Sequence, residues 1–265
     1  LKPTSGFTPP AGFTGSACLI CSTSNITLNN LVLDLTNKAE VKALSVTASA
    51  NVTVALDNVE VKNVSGATAI SVSGAADTTV TINDSSIHNN TAATTNGYPA
   101  LEGSVIGVVA TGNATVDISG TTTISLNEAG AGVSGSQGSR GGSVVDVRSS
   151  ANTTVTISDT VQISNNTSGI GGNASDVGAG SAGGSIINLF ASGDSQLTIS
   201  DAVKISNNDS GAGGIGGPTE RKAGGAGGSI ISSLSNGDAT VTISGTVEIS
   251  GNDAGDGGAG SSSRT

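Results

Sequence analysis

The segment at 183–214, GGSIINLFASGDSQLTISDAVKISNNDSGAGG, is one copy of a phrase that recurs along the chain. Related copies stand at 141–166 (GGSVVDV…ANTTVTISDTVQISNN) and at 227–252 (GGSIISS…GDATVTISGTVEISGN). Each copy reads as three short apolar strands, every one closed by Gly, Asn, Asp or Ser, followed by a glycine-rich loop. No helical stripe runs through it. A unit that cannot bury its own apolar face must stack on its neighbours, so the repeat predicts a solenoid.

Aligning the copies on their central strand gives ITL (26–28), VAL (54–56), VTI (80–82), VDI (116–118), VTI (155–157), LTI (197–199) and VTI (241–243). The spacing of these anchors varies from 26 to 44 residues, and the growth falls in the loop before the GGS phrase. Such loops lengthen without disturbing a stacked core. A second strand follows each anchor (VEV 59–61, SSI 85–87, TTI 122–124, VQI 161–163, VKI 203–205, VEI 247–249). The third is ALSV (43–46), AISV (69–72), VIGV (105–108), VVDV (144–147), IINL (186–189) and IISS (230–233). Alternation places Val155, Ile157, Val203 and Ile205 inward, with Thr156 and Lys204 outward. Three such strands joined by sharp turns make an all-β, triangular parallel β-helix of about seven coils at ~4.8 Å spacing, with the glycine-rich loops on one edge. Forty glycines and 2% aromatic residues suit a narrow core of Val, Ile and Leu rather than a rounded one.

Two polar columns mark the turns. Asn51, Asp77, Asn113, Asn152, Asp194 and Asp238 precede the central strand, and Asn90, Asn127, Asn166, Asn208 and Asn252 follow the last strand. Asx residues form turns, and stacked amides hydrogen-bond along a fibre axis. The chain thus divides into an N-terminal arm or cap at 1–24, the repeats at 25–252 and a glycine/serine-rich tail at 253–265.

GGSV (141–144), GGSI (183–186), GGSI (227–230) and a weaker EGSV (102–105) resemble the GGA[ILV] repeat of the chlamydial polymorphic membrane proteins. IHNN, ISLN, ISNN, ISNN and ISGN are similar to that family's FxxN, with Ile for Phe as there is Ser for Ala. The resemblance spans roughly 85–255 and implies a right-handed parallel β-helix used in adhesion at a cell surface.

The net charge is −10 and the pI about 4.3, with the ten basic residues scattered. That excludes nucleic acid as a partner, since phosphate binding needs clustered Lys and Arg, and the acidity serves solubility. No apolar run approaches the ~20 residues of a membrane span. The chain opens Leu1-Lys2-Pro3 without Met and reads as a mature or excised segment. Asn25, Asn51, Asn63, Asn83, Asn89, Asn113, Asn152, Asn165, Asn166, Asn173 and Asn208 each stand in N-x-S/T, which favours a secreted, glycosylated protein. Asn113 and Asn152 fall on neighbouring coils, too close for two glycans. Cys18 and Cys21 form a lone CxxC before a strand, which reads as a local disulfide clamp, with free thiols as the alternative.

Several surfaces carry competing readings. Pro3, Pro9 and Pro10 stiffen an arm bearing Phe7 and Phe13, which caps the first coil or docks on a neighbour. Val105, Val144, Ile186 and Ile230 form an apolar outward column, covered by the glycine loops or serving lateral assembly. Outward threonines in TxT (Thr53, Thr79, Thr115, Thr154, Thr240; Thr81, Thr156, Thr198, Thr242) raise ice binding, interrupted by Ala55, Asp117 and Gln196. Pectin-degrading enzymes on this fold use clustered acids; here Asp159 and Asp201 align but their column continues as Gly120 and Gly245. Those acids read as turn formers, and His88, Arg140, Arg148 and Arg221 form no catalytic set. GGNASDV (171–177) only partly matches a calcium turn. The sequence therefore points to a non-enzymatic structural or adhesive solenoid, without cofactor or metal, on the outside of a cell. Self-association follows from the absence of a recognisable C-terminal cap: end-to-end fibre assembly is the first alternative, with a carbohydrate-active enzyme and an ice-binding protein behind it.

Overall fold

The computed structural model describes residues 17–94, 103–175, 178–218 and 222–260. The arm positions Phe7 and Phe13, with the prolines beside them, lie outside these residues, as do Asp176, Val177, Arg221 and the end of the tail. The described residues form strands and turns and no helix, and every strand pair is parallel.

Numbered in chain order, the first sheet holds β1 (Ala17–Ser22), β3 (Val41–Ala48), β5 (Ile70–Gly74), β8 (Ile106–Ala110), β11 (Val145–Ser149), β14 (Ile187–Ala191) and β17 (Ile231–Ser235), bonded in that order. The second sheet has two arms that meet at β4 (Val52–Lys62), which also pairs with β2 (Ile26–Asp34). One arm continues through β6 (Thr78–Asn83), β9 (Ala114–Ser119), β12 (Thr153–Ile157), β15 (Ser195–Ile199) and β18 (Ala239–Ile243). The other continues through the short strands β7 (Ser86–His88), β10 (Thr123–Ser125), β13 (Gln162–Ser164), β16 (Lys204–Ser206) and β19 (Glu248–Ser250).

The register sets like on like. Leu28, Leu56, Ile82, Ile118, Ile157, Ile199 and Ile243 are successive partners, and so are Val61, Ile87, Ile124, Ile163, Ile205 and Ile249. Between the ends of the stack these side chains are fully buried in one continuous aliphatic cluster. Burying each contributes about 1.5–3 kcal/mol, and β-branched chains fill the pleat without needing large rings.

Two corners turn the chain through left-handed backbone. The first is the column Asn30, Asn58, Asp84, Gly120, Asp159, Asp201 and Gly245, with φ from 46° to 77°. Asn, Asp and Gly are the residues that enter this region most cheaply, so the alternation of acid and glycine here has a conformational cause. The second corner is Asn63, Asn89, Leu126, Asn165, Asn207 and Gly251. Leu126 breaks its pattern at φ 55° and lies 58% exposed.

The glycine-rich segments, expected as loops, are ordered. Each runs out from the stack and returns alongside itself, and the two limbs bond across at every third residue. Within one segment Gly184 donates to Gly169 and Ser181 to Gly172. Each outward limb also bonds the returning limb of the segment before it, Gly211, Gly214 and Gly217 donating to Gly184, Ser181 and Gly178, and Gly169 and Gly172 to Gly142 and Ser139. Returning limbs close the pattern, with Gly225 donating to Gly214 and Gly228 to Gly211. Neighbouring outward limbs are also joined, Gly132 to Ile170, Gly171 to Ala212 and Gly213 to Asp256. A three-residue repeat without internal bonds leaves every N–H and C=O free for lateral partners, as in polyproline-II-like chains. The result is a two-layer array of extended segments packed backbone to backbone.

Candidate functional site

Chemistry needs polar groups not already spent on the fold, so the placement of each acid and base decides where a site can lie. Asp159 and Asp201 occupy the first left-handed corner. The Asp159 carboxylate accepts the Gly120 N–H at 3.0 Å, and that of Asp201 accepts the Asp159 N–H at 3.4 Å. Both are turn acids. His88 Nε2 lies 2.9 Å from Glu60 Oε1, which also takes Lys62 Nζ at 2.9 Å. Those two hydrogen bonds hold the Glu60 carboxyl below the ordinary range. Asp34 is held at about 2 by hydrogen bonds from Asn63 and Thr36. Asp117 goes the other way: burial, with the Asp159 charge behind it, lifts its carboxyl.

One polar cluster was not foreseen from the sequence. Asp146 on β11 is fully buried, and Arg148 Nε meets both its carboxylate oxygens at 3.0 Å. Ser104 Oγ donates to Oδ2 at 3.2 Å and Asn188 Nδ2 to Oδ1 at 2.8 Å. Its signal was present in VDVR, where Asp146 and Arg148 share one face of a strand and Asn188 pairs with Asp146 in register. Beside the cluster runs a groove where the first sheet meets the returning glycine limbs. It comprises a shallow part of about 530 Å³ along Gln137, Arg140, Ser181 and Ala226, and one of about 180 Å³ reaching Arg148, Asn188 and Ser232. Asp146, behind Arg148 and Asn188, has both carboxylate oxygens occupied from within the protein.

The turn residues form two hydrogen-bonded ladders that differ in which atoms they use. In the outer ladder a side-chain oxygen accepts the next repeat's main-chain N–H: Asn51 from Asp77, Asp77 from Asn113, Asn113 from Asn152, Asn152 from Asp194 and Asp194 from Asp238. In the inner ladder Asn90, Asn127, Asn166, Asn208 and Asn252 join amide to amide at 2.9 Å. Asn127, Asn166 and Asn208 use their second amide hydrogen on the carbonyls of Ile87, Ile124 and Ile163. Asn166 and Asn208 are 1% and 0% exposed, so their sequons cannot carry a glycan in this fold. Both are corrections to the set of candidate glycosylation sites. Asn25, Asn51, Asn89, Asn113, Asn152 and Asn173 are exposed, and Asn63 and Asn83 are half-buried.

The apolar column is corrected as well. Val105, Val144 and Ile186 have no exposed surface and belong to the aliphatic cluster, and Ile230 is partly buried against it. They sit where a glycine limb runs into the first sheet, and the chain enters the core before the first paired residue. They offer no surface for lateral assembly. The threonine columns do stand in register, Thr79 with Thr115 and Thr154, and Thr156 with Thr198 and Thr242. Asp117 breaks the second column at its centre. Cys18 and Cys21 are joined in a disulfide at the outer edge strand β1.

Among the described residues no group of three or more His, Cys, Asp or Glu is placed to hold a metal ion, and no helix is long and apolar enough to cross a membrane. No family model matches the chain, and neither a curated protein nor a solved structure is significantly similar to it.

Proposed function

We propose that this chain is a right-handed parallel β-helix, three strands to a coil and about seven coils long, acting as a non-enzymatic structural or adhesive element that is secreted or held at a cell surface. The observation that carries the reading is how the polar residues are spent. Asp159 and Asp201 hold turns, the Asx and Asn columns tie one repeat to the next, and Asp146 is saturated by Arg148, Ser104 and Asn188. Polar side chains committed to repeat-to-repeat bonds make a stiff rod rather than an acid–base site. The resemblance of the GGS and Ile-x-x-Asn phrases to adhesin repeats is the ground for an adhesive role. The test is the release of reducing ends from neutral and acidic polysaccharides. We expect none; turnover that disappears in Asp146→Asn, with folding intact, overturns the reading.

A second reading is end-to-end assembly into a fibre, and one observation favours it. In the last repeat Val241, Ile243 and Ile249 are 43–51% exposed, whereas their partners Leu197, Ile199 and Ile205 are fully buried. The outer edges of β17, β18 and β19 carry no paired strand among the described residues. Another copy's β1 and β2, or further repeats of a longer chain, would complete them. Light scattering over a concentration series separates the two. Growth of rods that Val241→Asp abolishes supports the fibre, and a constant monomer mass removes it.

A further inference from the structure

The two ladders sort the sequons by chemistry. N-glycosylation joins the asparagine Nδ2 to the sugar C1 of a lipid-linked oligosaccharide. The C1–O bond to the lipid diphosphate breaks, the diphosphate leaves and Nδ2 loses one proton. A usable asparagine must therefore spare an Nδ2 hydrogen and present it to solvent, while Oδ1 stays free to accept.

Asn51 and Asn152 in the outer ladder meet these conditions because they use only oxygen there. Asn25 Oδ1 accepts the Thr53 N–H at 2.8 Å, Asn51 that of Asp77 at 3.2 Å, Asn152 that of Asp194 at 2.8 Å and, in the glycine array, Asn173 that of Ile215 at 2.8 Å. All four are exposed, and their Nδ2 atoms make no hydrogen bond among the described residues. Docking the oxygen on the next repeat leaves the nitrogen pointing away from it. The sequence repeats the point, since Asp fills the same column at 77, 194 and 238, where it can supply an oxygen and nothing else. In the inner ladder every rung from 90 to 252 is Asn, and four of them spend both amide hydrogens.

Two of the remaining sequons fail on their nitrogens. Asn63 Nδ2 is held by Asp34 and Thr36, and Asn83 Nδ2 by Asp57 and Asp84. Asn113 and Asn89 commit one hydrogen each, to Asp77 and His88 Nδ1, and Asn165 lacks the oxygen contact that orients the acceptors, so these three are assigned to neither set. Asn51 and Asn152 lie three steps apart on the stack, about 14 Å at strand spacing. Asn25, one step from Asn51, is offset from it by two residues along the strand, unlike the Asn113–Asn152 pair in one column.

We infer that Asn25, Asn51, Asn152 and Asn173 are the glycan acceptors of the folded molecule, and that Asn63, Asn83, Asn166 and Asn208 are sequons kept for their amide hydrogens. The biological relevance rests on the extracellular placement proposed above. The experiment imposes the secretory route, so its failure counts against the acceptor assignment and not against that placement. The full chain is secreted from cultured animal cells behind a leader peptide. Glycans are removed by amidase in ¹⁸O-water, which marks each occupied Asn as labelled Asp for mass spectrometry. Label is expected at the four acceptors and absent from Asn63, Asn83, Asn166 and Asn208. Label at any of those last four in the folded, secreted fraction, or at none of the acceptors, overturns the inference. Asn152→Asp is expected to lose one glycan with an unchanged unfolding midpoint; a shifted midpoint would show that its nitrogen, too, serves the fold.

Discussion

The strand stack and the glycine array both bond one repeat to the next, yet they are held by different parts of the chain. In the stack, side chain rests on side chain, as where Ile163 lies between Ile124 and Ile205. In the array, main chain rests on main chain: Gly184 donates to Gly169 and accepts from Gly211. Side chains repack around a lost methylene, whereas a peptide plane has no rotamer to offer. The two regions should therefore differ most in what a single methyl group does to them. A Cβ on Gly184 would overlap the Gly142 carbonyl, with only main-chain atoms nearby. Gly184→Ala is expected to cost at least about 4 kcal/mol or to prevent folding. Ile163→Val, which removes a methylene from the buried core, should cost about 1 kcal/mol. Denaturant unfolding of both variants checks this, and equal costs would show that the array yields as easily as the core.

A second comparison lies within the stack, between the ladders. Asn166→Asp removes two donated hydrogens and sets a carboxylate against the Ile124 carbonyl and Asn208 Oδ1 in a buried place. The expected loss is about 3 kcal/mol. Asn152→Asp keeps the only atom its ladder uses and should stay within about 0.5 kcal/mol of the parent. Thermal unfolding of the pair separates them, and similar midpoints would mean that the inner ladder's nitrogens do not matter.

The strand columns were legible because aliphatic spacing survives loops of any length. Leu56, Ile82, Ile118 and Ile157 align by eye and pair in the same order. The burial of Val144 and Ile186 was not legible. Alternation assigns faces only within a paired strand, and these residues stand just before one. The order of the glycine segments was hidden differently. Glycine names no partner, and its only trace was the three-residue spacing at 211, 214 and 217. The Asp146 cluster was only half legible, since Arg148 shares its strand but Ser104 and Asn188 come from neighbouring repeats and meet it only once the register is set. Turn chemistry was easier to read, since a left-handed corner accepts so few residues.

That same narrowness makes Leu126 the exception to test. Every other residue in its corner column is Asn or Gly, and Leu126 adopts φ 55° with its side chain mostly in solvent. It suffers the left-handed steric cost and recovers little from burial. Leu126→Asn should stabilise the protein by about 1 kcal/mol, read as a rise in the denaturant midpoint with an unchanged slope. A loss of stability would show that the exposed leucine makes contacts in solution that outweigh its strain.

The smallest effect belongs to the outward face of the stack, where Asp117 stands between Thr81 and Thr156. Its carboxyl is raised by burial and by the Asp159 charge, so over that window the folded state binds more protons than the unfolded chain. Stability contributed at this position therefore falls as pH rises from about 4, the unfolded value, through the raised folded one. Asp34 acts with the opposite sign: held at about 2, it contributes stability above pH ~4 that is lost as pH falls towards its folded value. Asp34 is common to parent and variant, so the difference between them isolates Asp117. Asp117→Thr completes the threonine column and should raise stability at pH 7 by on the order of 0.5 kcal/mol. The part of the gain that comes from removing the charge should shrink as pH falls through the raised value and vanish below about pH 4, where both chains carry a neutral group. A gain independent of pH would assign the effect to β-branching and remove the charge from the account.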